Sequence, residues 1–230
     1  MNEVAIVTGG TGALGQAVTL RLLRDGASVV VPWVVADEEK TLASRVPADW
    51  RPRLLTVECD VTDASSMASL VKTSIGKFRY VRVLVTAVGG FAGGGLLQTD
   101  LDGWNRMLSL NLTSAFIAAR AVGPWMLHAR YGRIVMVASR AVVPPVGGLL
   151  AYTVSKAGVI TLTQALAAEL EAAGITVNAV LPSTMDTPAN RAAMPDADPT
   201  QWTPVDAVAD AVAFLAREDS GHITGTLLSI

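Results

Sequence analysis

Cysteine is almost missing from this chain of 230 residues: Cys59 is the single one. One thiol cannot close an internal disulfide, so the core must hold the fold, and a reducing, cytoplasmic setting suits it. Histidine is scarce too. His128 and His222 are too few for a metal cluster, so no metal site is expected. Charge is thin and nearly balanced, with 17% charged residues and a formal net of −2. That removes the electrostatic case for nucleic acid or an anionic membrane surface. Unbroken apolar runs are missing as well. The two longest, Ala115 to Leu127 and Ala141 to Ala151, are interrupted by Arg120 and by Pro144-Pro145-Val146-Gly147-Gly148, and neither can span a bilayer. The first strand is expected from about Glu3, and no signal peptide is expected ahead of it.

What is present is apolar and regularly punctuated. Strand-like segments fall at Val4–Val7, Ser28–Trp33, Arg53–Glu58, Val83–Thr86, Ile134–Ala138, Thr176–Leu181 and Thr226–Ile230. Helix-like segments lie between them, at Leu14–Arg24, Asp37–Arg45, Ala64–Gly76, Leu101–His128, Tyr152–Ala173 and Pro204–Arg217. The strands are short and Val-rich rather than alternating, as when both faces are covered. This order predicts an α/β fold: one domain over residues 1–230, a doubly wound parallel sheet of about seven strands with helices on both faces. No repeat or linker divides it. One long irregular stretch, Pro182 to Thr203, carries Pro182, Pro188, Pro195 and Pro199, and residues 183–203 are expected to act as a substrate lid.

Two motifs carry chemistry. Val4-Ala5-Ile6-Val7 leads into Thr8-Gly9-Gly10-Thr11-Gly12-Ala13-Leu14-Gly15 and then a helix. Strand, glycine loop and helix is the context in which Gly10, Gly12 and Gly15 predict a dinucleotide site: the glycines permit a tight turn, and the helix start offers free N–H groups to a pyrophosphate. The second motif is Tyr152 with Lys156, one helical turn apart on one face. A phenol titrates near 10 and is a poor acid–base group at neutrality; a neighbouring ammonium is expected to lower that value. A tyrosine so tuned can exchange a proton with a substrate oxygen. The glycine loop, Asp60, Gly89-Gly90 and the proline-rich stretch follow strands and Ser139 ends one, so the suggestive residues fall on one rim.

Together these residues resemble the short-chain dehydrogenase/reductase family over essentially the whole chain. The likeness rests on the glycine loop, Asp60-Val61-Thr62-Asp63, Asn111 in Asn111-Leu112-Thr113-Ser114, Ser139, Tyr152 with Lys156, and Asn178-Ala179-Val180-Leu181-Pro182 running into Thr187. The resemblance implies a nicotinamide-dependent oxidoreductase acting on a small carbonyl, imine or alcohol. It implies Tyr152 as the acid–base residue, Lys156 tuning it and holding the nicotinamide ribose, Ser139 bonding the reacting oxygen, and Asn111 holding a water that relays protons. It further implies that NAD or NADP lies against Gly9, Thr11, Gly12, Leu14 and Gly15, against Trp33, against Asp60 and Val61 at the adenine, and against Ala87 and Gly89. At the nicotinamide the contacts would be Tyr152, Lys156, Pro182, Met185 and Thr187. In this family the two long helices commonly form a subunit interface, and Ala115, Phe116, Ala118, Ala119, Trp125 and Met126 suit a homodimer or homotetramer.

The chain also departs from the family's pattern. Ala13 stands where the short-chain branch usually has glycine, Thr86-Ala87-Val88-Gly89 replaces its Asn-Asn-Ala-Gly, and Ser183 follows Pro182 in place of glycine. Trp33 closes the second strand, where an acid would select NAD and a nearby Arg would suit NADP. Asp37 is expected to cap the next helix. With no Arg or Lys at the expected place, the cofactor leans to NAD. The segments Val88 to Gly94 and Leu181 to Asp198, with Trp202-Thr203-Pro204, are similar to the dihydropteridine reductases, which makes pterin reduction an alternative. An alternative of another class is a dinucleotide-binding redox sensor without turnover.

Overall fold

The computed structural model describes residues 3–230. The elements run β1 (Val4–Thr8), α1 (Ala13–Arg24), β2 (Ser28–Trp33), α2 (Ala36–Arg45), β3 (Leu54–Glu58), α3 (Ala64–Phe78), β4 (Val83–Thr86), α4 (Leu101–Leu108), α5 (Ser114–Ala129), β5 (Gly132–Val137), α6 (Leu150–Leu170) and β6 (Ile175–Leu181). They continue through β7 (Met185–Asp186), α7 (Pro188–Ala193), β8 (Thr203–Pro204), α8 (Val205–Leu215) and β9 (Leu227–Ser229). Seven strands form one parallel sheet in the order β3-β2-β1-β4-β5-β6-β9, and β7 and β8 form a separate two-stranded piece. The sheet is the expected doubly wound one, and its strand order reverses between β1 and β4.

The Val-rich strands sit between two helical layers, and successive side chains of a strand enter opposite layers. Ile6, Leu84, Ile134, Met136 and Val177 pack with Met67 and Leu70 of α3, Val122 and Met126 of α5 and Val159 of α6. Val7, Val31, Val85, Val135 and Val180 pack with Leu22 of α1, Leu42 of α2 and Val212 of α8. A sheet covered on both faces leaves only its ends open to ligands, which is why the polar chemistry gathers there.

The expected helix over Leu101–His128 is one helical run to Ala129 with a widened turn of π type at Ser109–Thr113. Ser114 occupies the carbonyls released there, donating its N–H to Ser109 and its hydroxyl to Leu110 at 2.6 Å. Such widened turns gather at functional positions, and Asn111 lies within this one. The stretch Pro182 to Thr203, expected to be irregular, contains β7, α7 and the β7–β8 pairing, so it is partly ordered.

Candidate active site

Because β1 to β6 run parallel, the loops that follow them share one rim. At the loop after β1 the backbone packs against itself. Gly9 has φ +70°, and a Cβ there would lie 2.7 Å from the Ala87 carbonyl carbon and from the Val88 nitrogen. A Cβ on Gly15 would run into the Gly9 carbonyl, so α1 rests directly on the loop. Gly12 differs: its nearest neighbour would be the Gly9 oxygen at 3.5 Å, an ordinary contact. The chain's own packing therefore does not require glycine at 12. Gly12 is also the N-cap of α1, no side chain caps that helix, and its first turn holds no acid. Open space before uncapped N–H groups fits a pyrophosphate.

The region after β2 and β3 departs from the sequence expectation. Asp37 does not cap α2; that helix begins at Ala36 with Val35 at the N-cap, and the Asp37 carboxylate instead accepts from Lys40 Nζ at 2.9 Å. The neighbouring acid is the one that reaches the glycine loop: Thr11 Oγ1 donates to Glu38 Oε2 at 2.9 Å. Asp60 accepts from the Thr62 N–H at 2.8 Å and the Thr62 hydroxyl at 2.6 Å, closing its own turn. Val61 is buried in the core, and Trp33 is half-buried at the end of β2. The replacement of the family's Asn at position 86 is visible too: the Thr86 hydroxyl is buried without a partner.

At the other end, Tyr152 and Lys156 share a face of α6, as their spacing predicts. Lys156 is almost fully buried and its Nζ donates to the Val137 carbonyl at 2.9 Å. Burial lowers its pKa to about 8. The expectation that Lys156 would pull the phenol down is corrected here. Burial pushes the Tyr152 pKa up, and a hydrogen bond from Ser139 only partly opposes it. The ammonium is aimed at the end of β5, while the phenol loses water around its ring, so desolvation wins. Ser139 is held by accepting from the Ala141 N–H at 3.2 Å.

Asn111 is the hub behind this pair. Its Oδ1 accepts from the Gly90 N–H at 2.8 Å, and its Nδ2 donates to the Gly90 carbonyl at 3.1 Å and to Ser155 Oγ at 2.9 Å. Ser155, fully buried, donates in turn to the Tyr152 carbonyl at 2.7 Å. Gly89 lies between the two polar heads: a Cβ there would come 2.9 Å from Asn111 Oδ1 and 3.2 Å from Lys156 Nζ. Asn111, Ser139, Tyr152, Lys156 and Gly89 are thus brought together. After β6, Thr187 is buried and its hydroxyl accepts from the Asn190 N–H at 3.1 Å, capping α7. The Met185 carbonyl accepts from Asn190 Nδ2 at 2.8 Å, and Met185 packs on the α1–α8 core layer.

Three residues escaped the sequence reading. Glu38 hid behind Asp37, because helix phase alone decides which acid turns toward the loop. Ser155 had a usable signal, its place between Tyr152 and Lys156. Phe91, whose ring meets that of Tyr152 edge-on with centroids 5.1 Å apart, lies in the Val88–Gly94 segment already likened to the dihydropteridine reductases, but nothing in the sequence tied it to Tyr152. Among the described residues no group of three or more His, Cys, Asp or Glu is placed to hold a metal, and no helix is long and apolar enough to cross a membrane.

A sequence model described as short chain dehydrogenase matches residues 3–198. The (2S)-[(R)-hydroxy(phenyl)methyl]succinyl-CoA dehydrogenase subunit BbsD of Thauera aromatica is 33% identical over 238 residues, spanning 100% of this chain and 95% of its own. Among solved structures, ElxO with NADP bound superposes with a TM-score of 0.91 at 25% identity, covering 100% of this chain and 97% of that one. NAD+-bound xylitol dehydrogenase superposes with a TM-score of 0.89 at 26% identity, covering 99% and 97%. Both dinucleotides occur among these neighbours, so similarity alone favours neither.

Proposed function

The chain belongs to the short-chain dehydrogenase family of nicotinamide-dependent oxidoreductases, and from that premise we propose that it interconverts a small carbonyl (or imine) and the corresponding alcohol (or amine) through Ser139, Tyr152, Lys156 and Asn111. The observation that carries this is the convergence at one place of Ser139 at the end of β5, the Tyr152 phenol, and the buried Lys156 one turn on, with Asn111 tied through Ser155 to the Tyr152 carbonyl. The phenol is protonated at neutral pH and so holds the proton to be given, while positive charge beside it favours the phenolate that donation leaves. A carbonyl oxygen seated against Ser139 and Tyr152 accepts from both hydroxyls, and the charge that develops on it is stabilised there. Tyr152 then delivers its proton to that oxygen. Lys156 holds positive charge one turn from the phenolate left behind, and Asn111 fixes Ser155 and Gly90 so that the pair cannot drift. A bound nicotinamide supplies the hydride in reduction and takes it up in oxidation.

The dinucleotide would lie along Gly9, Thr11, Gly12, Leu14 and Gly15, past Trp33, Asp60 and Val61, over Ala87 and Gly89, to Tyr152, Lys156, Pro182, Met185 and Thr187. NAD is the proposed cofactor, now on the ground of Glu38. A carboxylate bonded to Thr11 suits the two ribose hydroxyls and repels a 2′-phosphate. The whole chain acts as one domain, with residues 183–203 as the segment that covers the substrate. Phe116 and Trp125 of α5 and Val154 of α6 are exposed in the single chain while Ala118 and Met126 are buried, which supports self-association through α5 and α6.

Oxidation of NADH and NADPH with a panel of ketones and aldehydes tests the proposal. Quinonoid dihydropterin belongs in that panel because of the likeness at residues 181–198. Turnover that vanishes in Tyr152→Phe is expected; tight dinucleotide binding without turnover of any member would instead indicate a sensor.

A further inference from the structure

Phe91 is a large apolar side chain left 68% exposed beside the acid–base residue. Its ring meets Tyr152 at 62° between planes, a favourable edge-to-face contact. The backbone on either side is tied down. Gly90 is held by the two Asn111 bonds at 2.8 and 3.1 Å. Gly94 donates to the Gly148 carbonyl at 2.7 Å and accepts from the Leu150 N–H at 2.9 Å. Between these anchors stand only Phe91, Ala92 and Gly93, so the ring is placed by its backbone and not by a surrounding core.

The two flanking loops are largely apolar. Val88 to Leu97 and Ala141 to Leu149 contain no charged residue, and Val143 and Val146 are exposed in the second segment. In the lid, the Arg191 guanidinium is engaged by both carboxylate oxygens of Asp186, at 2.6 and 2.8 Å. Arg140, next to Ser139, is the remaining exposed cation of the β5 loop. An exposed aromatic held in place within such surroundings is a wall awaiting a ligand face.

We propose that Phe91 is a substrate-specificity residue that stacks a flat apolar group attached to the reacting carbon, so that aryl ketones and aldehydes are preferred over small aliphatic ones. This rests on the placement of Tyr152 at the reacting oxygen. The surface stays exposed because it is complementary to the substrate, and the edge contact with Tyr152 keeps the ring beside the reacting oxygen's place.

The test uses acetophenone and acetone as probes with wild type, Phe91→Ala and Phe91→Leu. For Phe91→Ala we expect kcat/KM for acetophenone to fall at least about tenfold, with KM carrying most of the change, while acetone changes less than about twofold; Phe91→Leu should fall between. An equal loss with both ketones would overturn the proposal, since it would make Phe91 only a support for Tyr152. Calorimetric binding of acetophenone to the NAD-loaded Tyr152→Phe protein, with and without Phe91→Ala, separates binding from chemistry. Binding that depends on Phe91 without turnover in wild type would support the stacking wall and sink the catalytic proposal. Absence of binding, or binding indifferent to Phe91, would overturn the wall.

Discussion

The two ends of the rim are built on different principles. At the glycine loop, backbone meets backbone: Gly9 against Ala87 and Val88, Gly15 against Gly9. At the substrate end, side chains stand in open positions on tethered loops, as Phe91 does between Gly90 and Gly94. The first kind of construction leaves no room for a side chain at Gly9 or Gly15. The second tolerates many substitutions, and so can be retuned to a new substrate without disturbing the fold.

The strongest way to test this contrast is at the chemistry between the two ends. Tyr152→Phe should lower turnover by about 10³-fold, within the usual range for a lost acid–base group, while leaving dinucleotide binding and the thermal midpoint near wild type. A midpoint that dropped by several degrees would show that the hydroxyl is structural. Next in size is Gly15→Ala, whose added methyl meets the Gly9 carbonyl. Overpacking of that kind costs roughly 1–3 kcal/mol and should also abolish tight dinucleotide binding, read by thermal melts with and without NAD. Gly12→Ala is the sharper partner experiment. Melting should be unchanged, because no contact forbids the methyl, yet the Kd for NAD should rise about tenfold; unchanged affinity would remove the pyrophosphate from this place.

Lys156 divides activity from stability. Its folded pKa of about 8 lies below the ordinary 10.5, so between those values the unfolded chain holds a proton that the folded chain has lost. Stability should therefore climb as pH rises from about 8 to 10.5, and the burial penalty is fully present below about 8. Lys156→Met should flatten that climb in denaturant titrations across the pH range and melt higher at neutral pH, while turnover collapses. A variant less stable than wild type at pH 7 would show that the bond to Val137 outweighs the cost of burying the charge. The smallest effect is expected at the adenosine: Glu38→Gln should tighten NADP binding about tenfold and leave NAD within about twofold, measured by calorimetry. No change for NADP would return cofactor choice to Trp33 or Asp60.

Much of this is legible in the amino-acid sequence itself. The Val-rich runs between helix-like segments gave the parallel sheet, since strands covered on both faces lose alternation. The glycine loop and the Tyr152–Lys156 pair were readable because close backbone approach and helical spacing are local constraints. What escaped depended on orientation in space. Helix phase made Glu38, not Asp37, the acid that meets Thr11. The direction of the Lys156 ammonium and the burial of the Tyr152 ring reversed the expected shift of the phenol. The widened turn at Ser109–Thr113 has no sequence signature comparable to a glycine or proline, yet it lies where Asn111 joins Gly90 to Ser155.

The tie between Gly94, Gly148 and Leu150 reaches beyond Phe91. It stitches the loop after β4 to the loop after β5, so the two form a single module. Exchanging either loop alone with a homologue's would tear that seam; transplanting the two together, Gly89 to Asp100 with Arg140 to Leu150, would carry a new selectivity across intact.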